Sequence, residues 1–185
     1  MKKLTLYFLL LFFSMNSISQ NGRNGPSLWE EIRTNSKLYY DNTKPQIIEA
    51  LKKYDSHQYL INRLSKNGQR YLFFTVSEAL KRDLPVELSL IPFVESQFDP
   101  YAQSSTGASG IWQFIPSTAL ENGLKKNWWY DARRDIVAST NAAYNFLVKL
   151  NEEHDDWLIA IAAYNAGPSR VRKEIRKNKR VINNE

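Results

Sequence analysis

The chain has 185 residues, 43% hydrophobic and 13% aromatic, which suits one domain with a substantial core and excludes wholesale disorder. It has no cysteine, which excludes disulfides, thiolate metal sites and a lipid-modified cysteine. The formal charge is +6, but residues 170–185 hold seven Lys or Arg against two Glu. We interpret this basic tail as a solvated helix face, which anionic envelope polymers could also contact.

The N-terminus has the features of an export signal. Lys2 and Lys3 precede an apolar run from Leu4 to Phe13, and small residues follow near Ser19. The run of about ten apolar residues is too short to span a bilayer, so cleavage is favoured over a permanent anchor. We predict a signal peptide over residues 1–19 and a location in the periplasm or cell envelope. Export argues against nucleic acid as a partner.

The rest of the chain predicts an all-α protein. Residues 20–43 are predicted to form a linker with a short N-terminal helix, residues 44–83 a helical lead-in, residues 84–177 the main domain and residues 178–185 a basic tail. Apolar residues recur at spacings of three and four in 45–64 and again from Tyr71 to Leu80, and no strand-like alternation extends beyond a few residues.

Several helix boundaries follow from capping residues. Asp135 is a predicted N-cap for a helix over 136–150, and Asp155 or Asp156 for one over 157–166, which Gly167 and Pro168 end. The small and polar segment 102–110 predicts a loop, and the segment 125–134 an aromatic connector.

One acidic residue interrupts the apolar run in "IPFVESQFDP". If residues 85–98 form a helix, Glu95 shares a face with Leu88, Ile91 and Phe98, and Pro92 kinks the helix just before the acid. Burial disfavours the charged form of a carboxyl and raises its pKa. Such a group can donate a proton to a leaving oxygen, as the general acid of a glycosidase does.

The alternative is a structural acid, paired with an Arg or capping a helix, and from this stretch alone the two interpretations are balanced. Glycosidases usually carry a second carboxylate. Asp99 precedes Pro100 and resembles a turn residue, whereas Asp131 and Asp135 are more distant in sequence and Asp135 has a capping role. The sequence therefore offers one well-placed acid without an obvious partner.

Three motifs in order carry a family resemblance. Glu95-Ser96 lies in "VESQFDPYAQSSTGASGIWQF", which also contains Gly110-Ile111-Trp112-Gln113, and "WWYDARRD" and "LIAIAAYNAG" follow. Together they resemble the family 1 (SLT-type) lytic transglycosylases of the lysozyme-like superfamily, and most of all the D type. The resemblance covers roughly residues 44–177. D-type proteins continue past the "AYNAG" helix with further helices and often LysM modules, whereas this sequence ends at Glu185.

The resemblance implies cleavage of the β-1,4 bond between N-acetylmuramic acid and N-acetylglucosamine in peptidoglycan, without water, to give a 1,6-anhydromuramoyl end. Glu95 is then the catalytic acid and base. Gln113 and Tyr164 are expected to contact substrate, or, for Tyr164, the Glu95 carboxyl. For Ser96 and Asn165, substrate contact and a structural role are both expected possibilities.

The remaining expectations are structural. Trp128, Trp129 and Tyr130 could stack on sugars, but we predict them to be core residues. His57 and His154 lack metal-ligand spacing and are predicted to be on the surface, so no metal or cofactor is expected. The glycan strand is the expected partner of a monomer. The alternatives are a hydrolytic, goose-type lysozyme-like muramidase and a non-catalytic peptidoglycan-binding protein.

Overall fold

The computed structural model describes residues 28–38 and 68–182. These residues form seven α-helices and one 3-10 helix, and they contain isolated β-bridges but no strand. The predicted all-α class is confirmed. In chain order the elements are α1 (Leu28–Thr34), α2 (Gln69–Lys81), the 3-10 helix (Val86–Leu90), α3 (Ile91–Ser96), α4 (Pro116–Glu121), α5 (Ile136–His154), α6 (Trp157–Ala166) and α7 (Pro168–Ile182). The predicted signal peptide, the helix over 45–64 and His57 lie outside the described residues.

The core forms where α2, the 3-10 helix and α5 meet. The apolar stripe predicted for α2 is buried at Leu72, Val76 and Ala79. Tyr144, on α5, is fully buried, and its hydroxyl donates to the carbonyl oxygen of Thr75 at 2.6 Å. This bond satisfies a polar group that would otherwise be costly to bury, so it joins α5 to α2 across the core.

Side-chain caps begin α5 and α6 as predicted. Asp135 Oδ1 accepts the backbone N–H of Ala138 at 2.8 Å. Asp156, rather than Asp155, caps α6 and accepts the N–H groups of Leu158 and Ile159. Helix α5 runs to His154, one turn beyond its predicted end, and Asp155 then turns the chain with φ of 50°.

The segment before Glu95 is not a single kinked helix, so the prediction of one helix over residues 85–98 is wrong. The 3-10 helix ends at Leu90, and α3 starts afresh at Ile91. Pro92 lies in the first turn of α3, where its missing N–H is not needed. Gln97 and Phe98 then adopt positive φ values of 56° and 59° and end the helix directly after Glu95 and Ser96.

Glu87 is a buried acid that joins the N-terminal part of the chain to the main domain. Its side chain is 2% exposed, and Oε1 accepts the Ser36 hydroxyl and the backbone N–H groups of Lys37 and Leu38 at 2.6–3.0 Å. Sequence analysis did not single out Glu87. These three donors satisfy Oε1, whereas the buried Oε2 has no hydrogen-bond partner within the described residues.

The C-terminal helix α7 carries the basic residues. It is amphipathic, with Val171 packed against a small apolar cluster around Leu150 and Ala160. Within the described parts of the chain, no helix is both long and apolar enough to cross a membrane. The domain boundaries proposed from the sequence stay predictions.

Gly110 lies where the backbone of residues 102–114 passes directly over that of Arg133. Its φ is +80°, and a Cβ placed on it would lie 1.8 Å from the Arg133 carbonyl oxygen. Because the obstacle is backbone, no side-chain movement can relieve it. Gly123 has a similar φ of +78°, but a Cβ there meets no atom within 4 Å.

We therefore expect Gly110→Ala and Gly123→Ala to differ in stability although both strain φ. Gly123→Ala should cost about 1–2 kcal/mol, the usual penalty for a left-handed residue with a Cβ. Gly110→Ala adds a backbone clash and should lower the free energy of unfolding by about 3–5 kcal/mol. Urea denaturation of both variants measures the difference. Equal losses would contradict the close approach at Gly110.

Candidate active site

Glu95 lies in the last turn of α3 with its side chain half-buried. Leu88, Ile91 and Phe98, the residues predicted to share its face, are fully buried. Their burial puts the carboxylate at the edge of the apolar core. The same carboxylate is thus close to both apolar residues and solvent.

Asn165 contacts Glu95 from the end of α6. Its Nδ2 donates to Glu95 Oε1 at 3.4 Å, which is long for a hydrogen bond and therefore weak in this state. The Glu95-Ser96 motif and the "AYNAG" motif, whose Glu95 and Asn165 are 70 residues apart in sequence, thus meet at the Glu95 carboxylate.

Tyr164 was expected to contact either the Glu95 carboxyl or substrate, and its hydroxyl donates instead to the carbonyl oxygen of Trp112 at 2.8 Å. Its ring packs against the rings of Trp112, Phe114 and Phe146, with centroids 5.7–6.3 Å apart. Burial raises the pKa of the Tyr164 hydroxyl well above its ordinary value, and the negative charge of Glu95 raises it further. Tyr164 therefore remains a neutral donor that holds the Trp112 backbone beside the acid.

Ser96 holds the turn that carries Gln113. Its hydroxyl lies 3.0 Å from the carbonyl oxygen of Pro92 and 2.9 Å from that of Ile111. A hydroxyl has one proton to donate, so these two carbonyls share it. Of the two roles expected for Ser96, these contacts are those of a residue that fixes α3 against residues 110–113.

Gln113 adopts a positive φ of 50°, and its side chain folds back on the same loop. Nε2 donates to the carbonyl oxygens of Gly110 at 2.8 Å and Ala102 at 3.1 Å. Because both neighbours are carbonyl oxygens, the nitrogen must face them, and both of its protons are used. The group left to contact a ligand is the side-chain oxygen, Oε1, a hydrogen-bond acceptor.

Arg133 is the residue of this region that sequence analysis missed. Its guanidinium is buried, pairs with Asp131 at 2.7 Å, and donates to the carbonyl oxygens of Gly107 and Phe114 at 2.8 and 3.2 Å. The hydrogen bond from Arg133 lowers the pKa of Asp131 below its ordinary value. In the sequence "DARRD" nothing distinguishes Arg133 from the exposed Arg134 beside it.

The aromatic connector is exposed, so the prediction that it belongs to the core is wrong. Trp128 is 86% exposed and Trp129 90%, and Tyr130 is also exposed. The turn at residues 126–131 projects these side chains away from the core, which is filled by Trp112 and Tyr144 instead. They line an open cavity of about 470 Å³ that does not include Glu95.

His154 is also not the surface residue that was predicted. Its side chain is 9% exposed at the end of α5, and its Nε2 has no hydrogen-bond partner within the described residues. The parts of the chain that the structure describes contain no cluster of three or more side chains suited to hold a metal ion.

The fold and the site together have the organisation of the lysozyme-like class. The domain is helical, its half-buried Glu95 lies at the edge of the core, and Tyr164 and Asn165 approach from the end of α6. Comparison with known proteins identifies the family within this class. The Transglycosylase SLT domain matches residues 74–185. The chain belongs to this family.

Individual relatives agree with the family match. Membrane-bound lytic murein transglycosylase D of Escherichia coli (strain K12) is 46% identical over 135 residues, which cover 72% of this chain and 30% of the relative. A protein of Alteromonas sp. (strain M-1) named for tributyltin chloride resistance is 42% identical over 64% of this chain and 58% of its own length. Membrane-bound lytic murein transglycosylase F of Desulfosudis oleivorans is 35% identical over 49% of this chain and 21% of its own length. The matched part of the chain thus spans about a third of the E. coli protein.

The Asp131–Arg133 pair predicts a pH-dependent contribution to stability. Because the folded-state pKa of Asp131 lies below its ordinary value of 3.8, the pair stabilises fully above that pH. The contribution is lost as the pH falls through the lowered pKa. Asp131→Asn should cost about 3 kcal/mol at pH 7, since it leaves the buried guanidinium without its counter-ion.

The check is the free energy of unfolding of both proteins from pH 7 to pH 2. The difference between them should begin to shrink below about pH 3.8, where Asp131 of the unfolded wild-type chain takes up a proton, and should be lost once the pH falls below the lowered folded-state pKa. A difference that stays constant over this range would contradict the assignment.

Proposed function

We propose that this protein is a peptidoglycan lytic transglycosylase that cleaves the β-1,4 bond between N-acetylmuramic acid and N-acetylglucosamine and leaves a 1,6-anhydromuramoyl end. The observation that carries the proposal is the position of Glu95. It is a half-buried carboxylate at the edge of the core, contacted by the Asn165 amide of a second helix. Family membership and the names of the transglycosylase relatives support the same reaction class.

The other acids considered as partners for Glu95 are engaged elsewhere. Asp99 Oδ1 accepts the backbone N–H of Tyr101 at 2.8 Å in a turn. Asp131 pairs with Arg133, and Asp135 caps α5. A two-carboxylate mechanism would need one of these to leave its structural bond. A reaction in which one carboxyl performs both proton transfers avoids that requirement.

In the proposed reaction Glu95 acts twice. As a carboxylic acid it donates its proton to the glycosidic oxygen while the bond from that oxygen to C1 of N-acetylmuramic acid breaks. As the resulting carboxylate it accepts the proton of the C6 hydroxyl of the same sugar, whose oxygen forms a bond to C1. The proton count is restored at the end, and no water enters the product.

The neighbouring residues have roles that follow from their contacts. Asn165 places its amide N–H beside the Glu95 carboxyl, where a shorter bond would orient the carboxyl once substrate is bound. Gln113 offers Oε1 to a sugar hydroxyl or acetamido N–H, since its nitrogen is already committed. Tyr164 and Ser96 act as positioning residues that hold the Trp112 and Ile111 carbonyls beside the acid.

We propose that the protein is exported and works as a monomer in the periplasm or cell envelope, where its substrate is found. The basic face of α7 would contact anionic envelope polymers, and the names of two relatives include the word membrane-bound. Nucleic acid is not a proposed partner.

The proposal predicts that Glu95→Gln abolishes release of soluble fragments from purified murein sacculi. The substitution preserves shape but removes the group that transfers the proton twice, so the rate should fall by about a thousandfold or more. Turbidity loss and fragment analysis by mass spectrometry measure it. Wild-type fragments should carry anhydro ends, which are lighter than hydrolytic ends by one water.

Glu87→Gln is a matched control, because it makes the same change of side chain at a buried acid in the 3-10 helix that precedes α3, away from the site. It should lower the melting temperature by weakening the bonds to Ser36 and Lys37, while activity measured well below that temperature stays near wild type. Reducing ends in place of anhydro ends would indicate a hydrolytic muramidase. Binding to sacculi with no fragment release, in wild type and Glu95→Gln alike, would indicate a non-catalytic wall-binding protein.

A further inference from the structure

The exposed turn at residues 126–131, which we call the aromatic turn, is held by its own hydrogen bonds. Asn127 N–H donates to the Tyr130 carbonyl at 2.8 Å, and Asn127 Oδ1 accepts the N–H groups of Trp129 and Tyr130 at 2.9 and 2.8 Å. A β-bridge between Lys126 and Asp131 closes the turn. The two tryptophans are therefore held in solvent by a hydrogen-bonded turn, and adjacent exposed aromatic side chains of this kind mark a candidate binding surface.

The tryptophan rings form a corner, not a flat face. The centroids of Trp128 and Trp129 are 6.1 Å apart and their planes meet at 89°. Together with Tyr130 and charged neighbours they line the 470 Å³ cavity, which we name the aromatic cleft; it is lined by residues 126–131, Arg134 and Asp135. Rigid aromatic faces with polar groups beside them suit sugar rings, whose C–H groups stack and whose hydroxyls form hydrogen bonds.

The charges available in the cleft are positive. Asp131 is paired with Arg133, and Asp135 accepts from the Tyr130 hydroxyl and the Ala138 N–H. Lys126 is exposed and reaches Asp131 only at 4.0 Å. Arg134 is exposed and, among the described residues, is bonded only through Nε to Ser109. The cleft therefore favours a ligand that carries carboxylates as well as sugars.

The cleft is joined to the loop beside Glu95. Arg133 and Arg134, which follow the aromatic turn, bind residues 107–114 through the carbonyls of Gly107 and Phe114 and the hydroxyl of Ser109. Gln113 lies in the same loop. A ligand in the cleft is thus attached to the framework that positions the proposed acid.

We infer that the aromatic cleft is an accessory binding site for the glycan strand of peptidoglycan, with Trp128 and Trp129 stacking on sugar rings and Lys126 and Arg134 pairing with carboxylates of the stem peptides. The inference rests on the proposed function for the identity of the substrate. A lipid surface is the competing ligand, since Trp, Tyr, Lys and Arg also gather at membrane interfaces. The concave shape of the cleft favours the glycan over a flat lipid surface.

The test measures binding of the full chain to purified sacculi by co-sedimentation, with Glu95→Gln present to prevent turnover. Adding Trp128→Ala and Trp129→Ala should raise the Kd by about tenfold or more, because truncated aromatic anchors lose most of their contact energy. Phe73→Ala, which removes a 61% exposed aromatic side chain from α2, is the matched control and should leave the Kd within about twofold. Circular dichroism verifies that each variant is folded.

Two further arms identify the ligand. Lys126→Gln with Arg134→Gln should weaken binding to intact sacculi by about tenfold, but not to sacculi whose stem peptides an amidase has removed. Anionic phosphatidylglycerol vesicles test the lipid alternative. The inference is overturned if the tryptophan variant binds sacculi like the control, or if it loses only vesicle binding.

The outcome for the cleft is separate from that for the catalytic proposal. In the Glu95-intact background the tryptophan variant should raise KM on sacculi with kcat unchanged, because the cleft does not include the acid. If the wild-type protein releases no fragments, the proposed reaction fails, while the binding comparison still decides whether the cleft holds glycan.

Discussion

The arrangement of the site depends on the bonds made by the buried guanidinium of Arg133. It pairs with Asp131 and binds the carbonyl groups of Gly107 and Phe114, which are separated by the whole Gly110–Gln113 turn. Directly beside it the backbone passes so close to Gly110 that no Cβ fits. The side chain of Arg133 and the absence of a side chain at Gly110 therefore both fix this loop against the turn at residues 126–131. The same loop contacts α3 through Ser96 and α6 through Tyr164.

Most polar groups around Glu95 are already committed to the protein itself. The hydroxyls of Ser96 and Tyr164 donate to carbonyls of the Ile111–Trp112 backbone, and the Gln113 nitrogen donates within its own loop. Such commitments preorganise a site, because nothing has to be reoriented when a ligand arrives. The groups proposed to meet the substrate are the Glu95 carboxyl, the Asn165 amide that contacts it, and the Gln113 oxygen.

Sequence reasoning succeeded where the signal was local and periodic. The stripe of α2, the caps at Asp135 and Asp156 and the Asp99 turn follow from side chains acting on nearby backbone, and the structure confirms them. It failed where long-range packing decides. Two short helices replace the expected kinked one before Glu95, and the core is filled by Trp112 and Tyr144, which leaves Trp128 and Trp129 outside. The carbonyl groups that bind Tyr164 and Arg133, and the donors that bind Glu87, are distant from these residues in sequence, so spacing could not identify them.

In the proposed reaction one carboxyl completes the cleavage without water, and the origin of the oxygen atoms in the product tests this most directly. Sacculi digested by the wild-type protein in water enriched with heavy oxygen should yield fragments with no heavy oxygen at C1 of the muramic acid, because the C6 oxygen of the same sugar forms the new bond. Incorporation of one heavy oxygen at each new end would contradict the account and would show that water is the nucleophile.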